Sequence, residues 1–259
     1  NRGPDRRVAL AAPHRHGAVQ SHRAVGLAVK PPLETQLTDA PQTARPGVLA
    51  RLLGFFKQMR KPVIERRAPL PDPPTVPAHL LNENVQLEGE GFGKLLGRRY
   101  AVRLRSALEP SALMDRVKRN LSALSPDELA SFEKTNGSAW SLKLGDEFDI
   151  QILGPWNGSV RVIEVTPDAF SFVTLRGHPE AGKIRFAVVR GAAGELNATI
   201  TSWARSRDAV VDLGYDKLGL GKGLQTTTWR TFLERIASLS DAEMIGEVVV
   251  SEQPLEETK

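Results

Sequence analysis

Lys183-Ile184-Arg185-Phe186-Ala187-Val188-Val189-Arg190, then Gly191-Ala192-Ala193-Gly194, then Glu195-Leu196-Asn197-Ala198-Thr199-Ile200-Thr201-Ser202-Trp203-Ala204-Arg205, is the stretch of this chain on which the fold turns. Ile184, Phe186 and Val188 recur at every second position, the period of a strand with one buried face. The glycine-bounded break after Arg190 is a hairpin turn. The second run is the longest strand. One of its faces reads Leu196, Ala198, Ile200, Ser202, Ala204, several of them small, and the other reads Asn197, Thr199, Thr201, Trp203.

Upstream, the same period continues. Asp146–Leu153 alternates Phe148, Ile150 and Ile152 against Asp149 and Gln151, and Ser159–Val165 and Ala169–Leu175 follow after short turns. Strands spaced this closely predict an antiparallel meander. Arg98–Arg105 places Tyr100, Val102 and Leu104 on one face and predicts an earlier strand. Pro110–Val117 then reads as a helix with proline in its first turn. Ser125-Pro126-Asp127-Glu128 has the form of a second helix start, running to about Lys134 and ended by Asn136-Gly137. Downstream, Leu224–Ser240 sets Leu224, Thr228, Phe232, Leu233, Ile236 and Leu239 at helical spacing with Trp229 beside them. The expected fold class is α+β of the helix-grip type. An antiparallel sheet of about six strands wraps a long C-terminal helix, and two short helices follow the first strand.

Charge and proline divide the chain. Residues 1–77 hold 13 Lys/Arg against 5 Asp/Glu, a net of +8, whereas residues 78–259 are slightly acidic at −3. The positive excess therefore lies off the folded part, which argues against a nucleic-acid groove there. Twelve of the 18 prolines fall at or before Pro77, so residues 1–77 read as a basic, mostly disordered arm that ends in a stiff extended linker at 68–77. Within it, Val48, Leu49, Leu52, Phe55, Phe56 and Met59 give a short amphipathic helix at 48–61, flanked by Arg51, Lys57, Arg60 and Lys61. The globular domain is expected over 78–245 and an acidic, frayed tail over 246–259. With no cysteine, disulfides and thiolate metal sites are excluded, and a reducing cytoplasmic setting is expected. Val8-Ala9-Leu10-Ala11-Ala12, behind Arg6-Arg7, is too short for a signal-peptide core and ends at Pro13.

The order of strand, two helices, five-strand meander and long last helix resembles the helix-grip (START-like, SRPBCC) superfamily, which includes the birch-pollen allergen, lipid-transfer START domains and aromatic polyketide cyclases. More narrowly, Gly177-His178-Pro179-Glu180-Ala181-Gly182-Lys183-Ile184-Arg185-Phe186, the strand ending Ser202-Trp203-Ala204-Arg205-Ser206, and the helix from Gln225 to Leu233 resemble a bacterial and plant family, domain of unknown function 1990. The resemblance covers about residues 85–240. It implies the fold and a ligand cavity, and it implies no activity.

A gap between sheet and helix becomes a pocket where the inward side chains are small. Tyr100, Ser202, Trp203, Trp229 and Phe232 are the ligand-contacting candidates. The competing reading is an ordinary core filled by Trp229. His178 and Glu180 form an acid–base couple on one reading. On the preferred one they belong to a structural turn stiffened by Pro179. Gly219-Leu220-Gly221-Lys222-Gly223 before the last helix lacks the Ser or Thr of a phosphate-binding loop after Lys222 and reads as a flexible entry loop. His14, His16 and His22 lie among arginines, whose field disfavours a cation, so no metal or other cofactor is expected. The leading expectation is a module that binds a small apolar or amphipathic molecule. The first alternative is a cyclase- or hydrolase-like enzyme using His178, Glu147 or Glu164 in the same cavity. The second is an interaction protein whose helix at 48–61 meets an anionic membrane or a partner protein.

Overall fold

A computed structural model of the chain describes residues 64–66, 68–127, 129–138, 141–152, 157–213 and 220–256. These belong to a compact unit that spans Arg45–Lys259, and a separate unit, Asn1–Ala44, lies wholly outside the described residues. So do the expected helix at 48–61 and the three histidines of the arm.

The alternating segments pair side by side. β1 (Ile64–Glu65) is followed by β2 (Phe92–Arg105), helices α1 (Pro110–Arg119) and α2 (Leu121–Leu124), then β3 (Ala130–Asn136), β4 (Glu147–Ile152), β5 (Gly158–Val165), β6 (Ala169–Thr174), β7 (Glu180–Arg190) and β8 (Leu196–Ser206). Then come α3 (Ala209–Val211), α4 (Leu220–Leu239), β9 (Glu243–Met244) and β10 (Val249–Pro254). They form a ten-stranded sheet in the order β1-β10-β2-β8-β7-β6-β5-β4-β3, with β9 beside β2. The pairings are antiparallel except β1 with β10, which run parallel.

Cross-strand partners share a face. Tyr100 and Phe186 both pair with Ile200, and Arg98 and Ile184 both pair with Ser202. The small face of β8 therefore joins the phenylalanines of the meander on one side, the inner face. There Phe170 and Phe186 stack at 4.6 Å, and Phe172 meets both edge-on. α4 lies on this face, with Phe232 5.4 Å and Trp229 5.6 Å from the Phe186 ring. Phe232 and Leu233 are fully buried. Each such side chain contributes roughly 1.5–3 kcal/mol, which an isolated helix of this length lacks in water. α1 covers the same core with Leu113, Met114 and Val117.

The expectation of about six strands gripping a terminal helix is overturned. The sheet is larger, and the chain does not stop at the helix but returns to the sheet as β9 and β10. Two local errors account for this. The segment after Ser125 makes a single turn, with Leu129 and Ala130 N–H groups bonded to the Pro126 carbonyl, and then extends as β3. Pairing of Phe132 with Ile150 outweighs the helix-start signal. The acidic segment 246–259 contains β10, in which Val249 and Val250 pair with Ala101 and Tyr100. The opposite, outer face is partly covered by residues ahead of β2. Val76 and Val85 are buried there against Ile163, Val173 and Leu175. No helix among the described residues is long and apolar enough to cross a membrane.

Candidate functional site

The Gly177–Pro179 turn leads into β7, and the turn and the first residue of the strand carry two of the expected residues, His178 and Glu180. The His178 N–H closes the turn on the Leu175 carbonyl, and Gln86 from the outer-face segment donates to the carbonyls of His178 at 3.1 Å and Glu180 at 2.8 Å. His178 is buried. A Cβ on Gly158 would stand 2.3 Å from its Cδ2, so glycine there admits the ring. His178 Nδ1 lies 3.0 Å from both the N–H and the carbonyl oxygen of Glu180, so this ring nitrogen is engaged with the Glu180 backbone. Burial pushes His178 down to about 4, with nearby Arg207 adding to the effect and the backbone contact to Glu180 opposing it.

This shift has a measurable sign. Below the unfolded value of about 6.5 the unfolded chain takes up a proton that the folded domain refuses. Stability is therefore complete above that pH and falls as pH drops towards about 4, by at most about 3 kcal/mol. Urea melts at pH 7 and pH 4.5 should show this fall, and His178→Gln should remove most of it. An equal fall in the variant would place the acid sensitivity elsewhere.

The Glu180 carboxylate turns away from the imidazole towards the centre of the sheet. Arg98 Nη1 donates to it at 3.1 Å, and Gln225 Nε2 of α4 donates to its two oxygens at 3.1 and 3.4 Å. Arg98 also donates through Nε to Glu252 of β10 at 2.9 Å. Burial alone would depress the Arg98 guanidinium, but Glu180 and Glu252 outweigh it and hold the charge more firmly than in water. One buried cation thus ties β2, β7 and β10 together, with α4 attached through Gln225.

Beside this network lie two adjoining cavity lobes of about 50 and 60 Å³, which share Phe132, Ile150, His178, Glu180 and Trp229 as walls. Phe172, Phe186 and Ser202 line the inner lobe, and Leu224, Gln225 and Thr228 of α4 line the outer. Three of the wall residues carry a buried side-chain atom without a hydrogen-bond partner: Ser202 Oγ, Gln225 Oε1 and Trp229 Nε1.

The expected residues separate on this geometry. Ser202, Trp229, His178 and Glu180 meet at the cavity. Tyr100 and Phe232 are buried in the adjacent core and line neither lobe. Trp203 points to the outer face, where it lines a wider cavity of about 480 Å³ with Leu70 and Arg205. Glu147 pairs with Arg161 and Glu164 with Arg185, both away from the lobes. The loop expected before the last helix is partly helix, since α4 begins at Leu220. Arg98 and Gln225 were not singled out. Arg98 had one legible signal, because the alternation that puts Tyr100 and Val102 inside puts it inside too.

A family model described as a domain of unknown function, DUF1990, matches residues 103–235. No curated protein matches. Among solved structures, a hypothetical protein from Helicobacter pylori is similar at 8% identity and a TM-score of 0.42, covering 68% of this chain and 99% of its own. A protein from Chromobacterium violaceum has 10% identity and a TM-score of 0.38, covering 56% and 99%. One from Nitrosomonas europaea has 17% identity and a TM-score of 0.36, covering 56% and 93%. At these TM-scores the likenesses carry no functional weight, and nothing in them extends the family match to a superfamily.

Proposed function

The chain belongs to the family of domain of unknown function DUF1990, whose description assigns no activity, and we propose from its site that the domain is a binding module for a small apolar or amphipathic molecule. The observation that carries this reading is an apolar cavity between α4 and the inner face whose wall residues Ser202, Gln225 and Trp229 each hold a buried polar atom. Ligand sites are built this way, with aromatic and aliphatic walls and a few placed polar groups. The lobes are far below the several hundred Å³ of a drug-sized site. The body they admit is therefore a handful of heavy atoms.

Geometry favours holding over turnover. A general base needs a free lone pair oriented by a partner. His178 turns Nδ1 onto the Glu180 backbone, and the Glu180 carboxylate meets Arg98 and Gln225 instead of the ring, so that carboxylate does not orient the imidazole. The test uses the four tryptophans of the chain. In a two-dimensional NMR spectrum the indole N–H of Trp229, assigned by its loss in Trp229→Phe, should shift on titration with short-chain alcohols and amides. A Trp229 resonance that stays fixed across the panel, with no small molecule retained in native mass spectra of fresh protein, would end the proposal.

A further inference from the structure

We infer that the head group this cavity accepts is electrically neutral and both donates and accepts hydrogen bonds, as a carboxamide does. The inference rests on the binding reading above and adds the chemistry of the head. Its basis is the three unpartnered atoms. Trp229 Nε1–H only donates, Gln225 Oε1 only accepts, and the Ser202 hydroxyl does either. The Gln225 amide orientation is fixed by its neighbour. A carboxylate accepts and does not donate, so the nitrogen must face Glu180 and the oxygen must face away. Each of the three residues is at least nine-tenths buried, where an unserved polar atom is costly.

Charge sets the second condition. The cavity holds one carboxylate, Glu180, already bonded through both oxygens to Arg98 and Gln225. His178 is neutral, as its burial requires. An anionic head would be desolvated beside Glu180, and the two nearby cations are already paired, Arg98 with Glu180 and Glu252, and Lys183 of the inner lobe with Glu88 at 2.9 Å. A cationic head brings donors alone, so Trp229 Nε1–H would stay unserved and the ion would be buried without a dedicated counter-charge. A carboxamide supplies what these atoms lack: an oxygen for the indole N–H of Trp229, which borders both lobes, and an NH₂ for the Ser202 hydroxyl of the inner lobe or the Gln225 oxygen of the outer one.

Three probes of one shape separate these cases. Isobutyramide, isobutyrate and isobutylamine would be titrated at neutral pH into the full chain, following the Trp229 indole resonance. The amide is expected to bind at least about tenfold more tightly than either ion, the ratio set by one unserved buried polar group. Ser202→Ala should narrow that gap about threefold by removing one of the three partners. An ion that binds as well as the amide, or a gap unchanged in Ser202→Ala, overturns the inference and leaves the binding reading standing. A resonance unmoved by all three probes removes the binding reading and the head-group assignment together.

Discussion

Replacing Gly182 with alanine is expected to leave no folded domain. Gly182 sits in β7 opposite Ala204 of β8, at φ +152°, a backbone angle that residues with a Cβ rarely adopt. An added Cβ would lie 2.1 Å from the Trp203 carbonyl oxygen and 2.7 Å from the Ala204 Cα. Both obstacles are backbone of the neighbouring strand, so no rotamer change relieves them. The strands must part, and β7–β8 is the central pairing of the sheet. The cost should exceed about 4 kcal/mol, comparable with the whole stability of a domain at the low end of the usual range. Gly194→Ala separates sterics from backbone angle, since Gly194 also has positive φ, +87°, but nothing within 4 Å of the added atom. That control should cost about 1–2 kcal/mol. Far-UV circular dichroism and urea melts of both variants decide it. If Gly182→Ala melts like Gly194→Ala, the two strands do not approach as described.

The second large effect is expected at Arg98. This side chain is 3% exposed and joins Glu180 to Glu252. Arg98→Met keeps much of the volume but takes the arginine charge away from the largely buried Glu180 carboxylate, and should cost about 3 kcal/mol. Removing the stranded charge as well should restore much of the loss, because replacing both members of a buried pair is often close to neutral. Glu180→Gln in the Arg98→Met background is therefore expected to be more stable than Arg98→Met alone, although Glu180→Gln in the parent is destabilising. That reversal of sign is the diagnostic. Additive losses in denaturant melts would show that the two residues act independently and that the network is not a unit.

Much of the sheet was legible because its signal is local. Phe148, Ile150 and Ile152, or Ile184, Phe186 and Val188, state a period of two within a few residues, and the strands β4 to β8 lie where that period runs. The elements that were misread are those decided at a distance. Ser125-Pro126-Asp127-Glu128 has the residues of a helix start, but the Ser125 hydroxyl bonds the Ala130 carbonyl instead of capping a helix, and β4 claims the next residues as a partner strand. In the last segment the acidic residues hid three successive valines. The charge that marked it as a tail is in part a counter-charge, since Glu252 meets Arg98, 154 positions earlier. The site divides in the same way. Ser202 and Trp229 follow from alternation and helical spacing. Trp203, the neighbour of Ser202 in the chain, stands on the opposite face of the strand and does not reach the lobes. Gln225 has meaning only once Glu180, 45 positions away, is seen beside it.

The parallel pairing of β1 with β10 sets Ile64 against Val249 and Glu65 against Val250. The segment that enters the sheet and the segment that leaves it are thus neighbours at one margin. Because the two strands run parallel, Pro254 stands about 17 Å beyond the level of Ile64, so a circular permutant opened at the exposed turn Gly191–Gly194, which cuts no strand, needs a joining segment long enough to run back along β10.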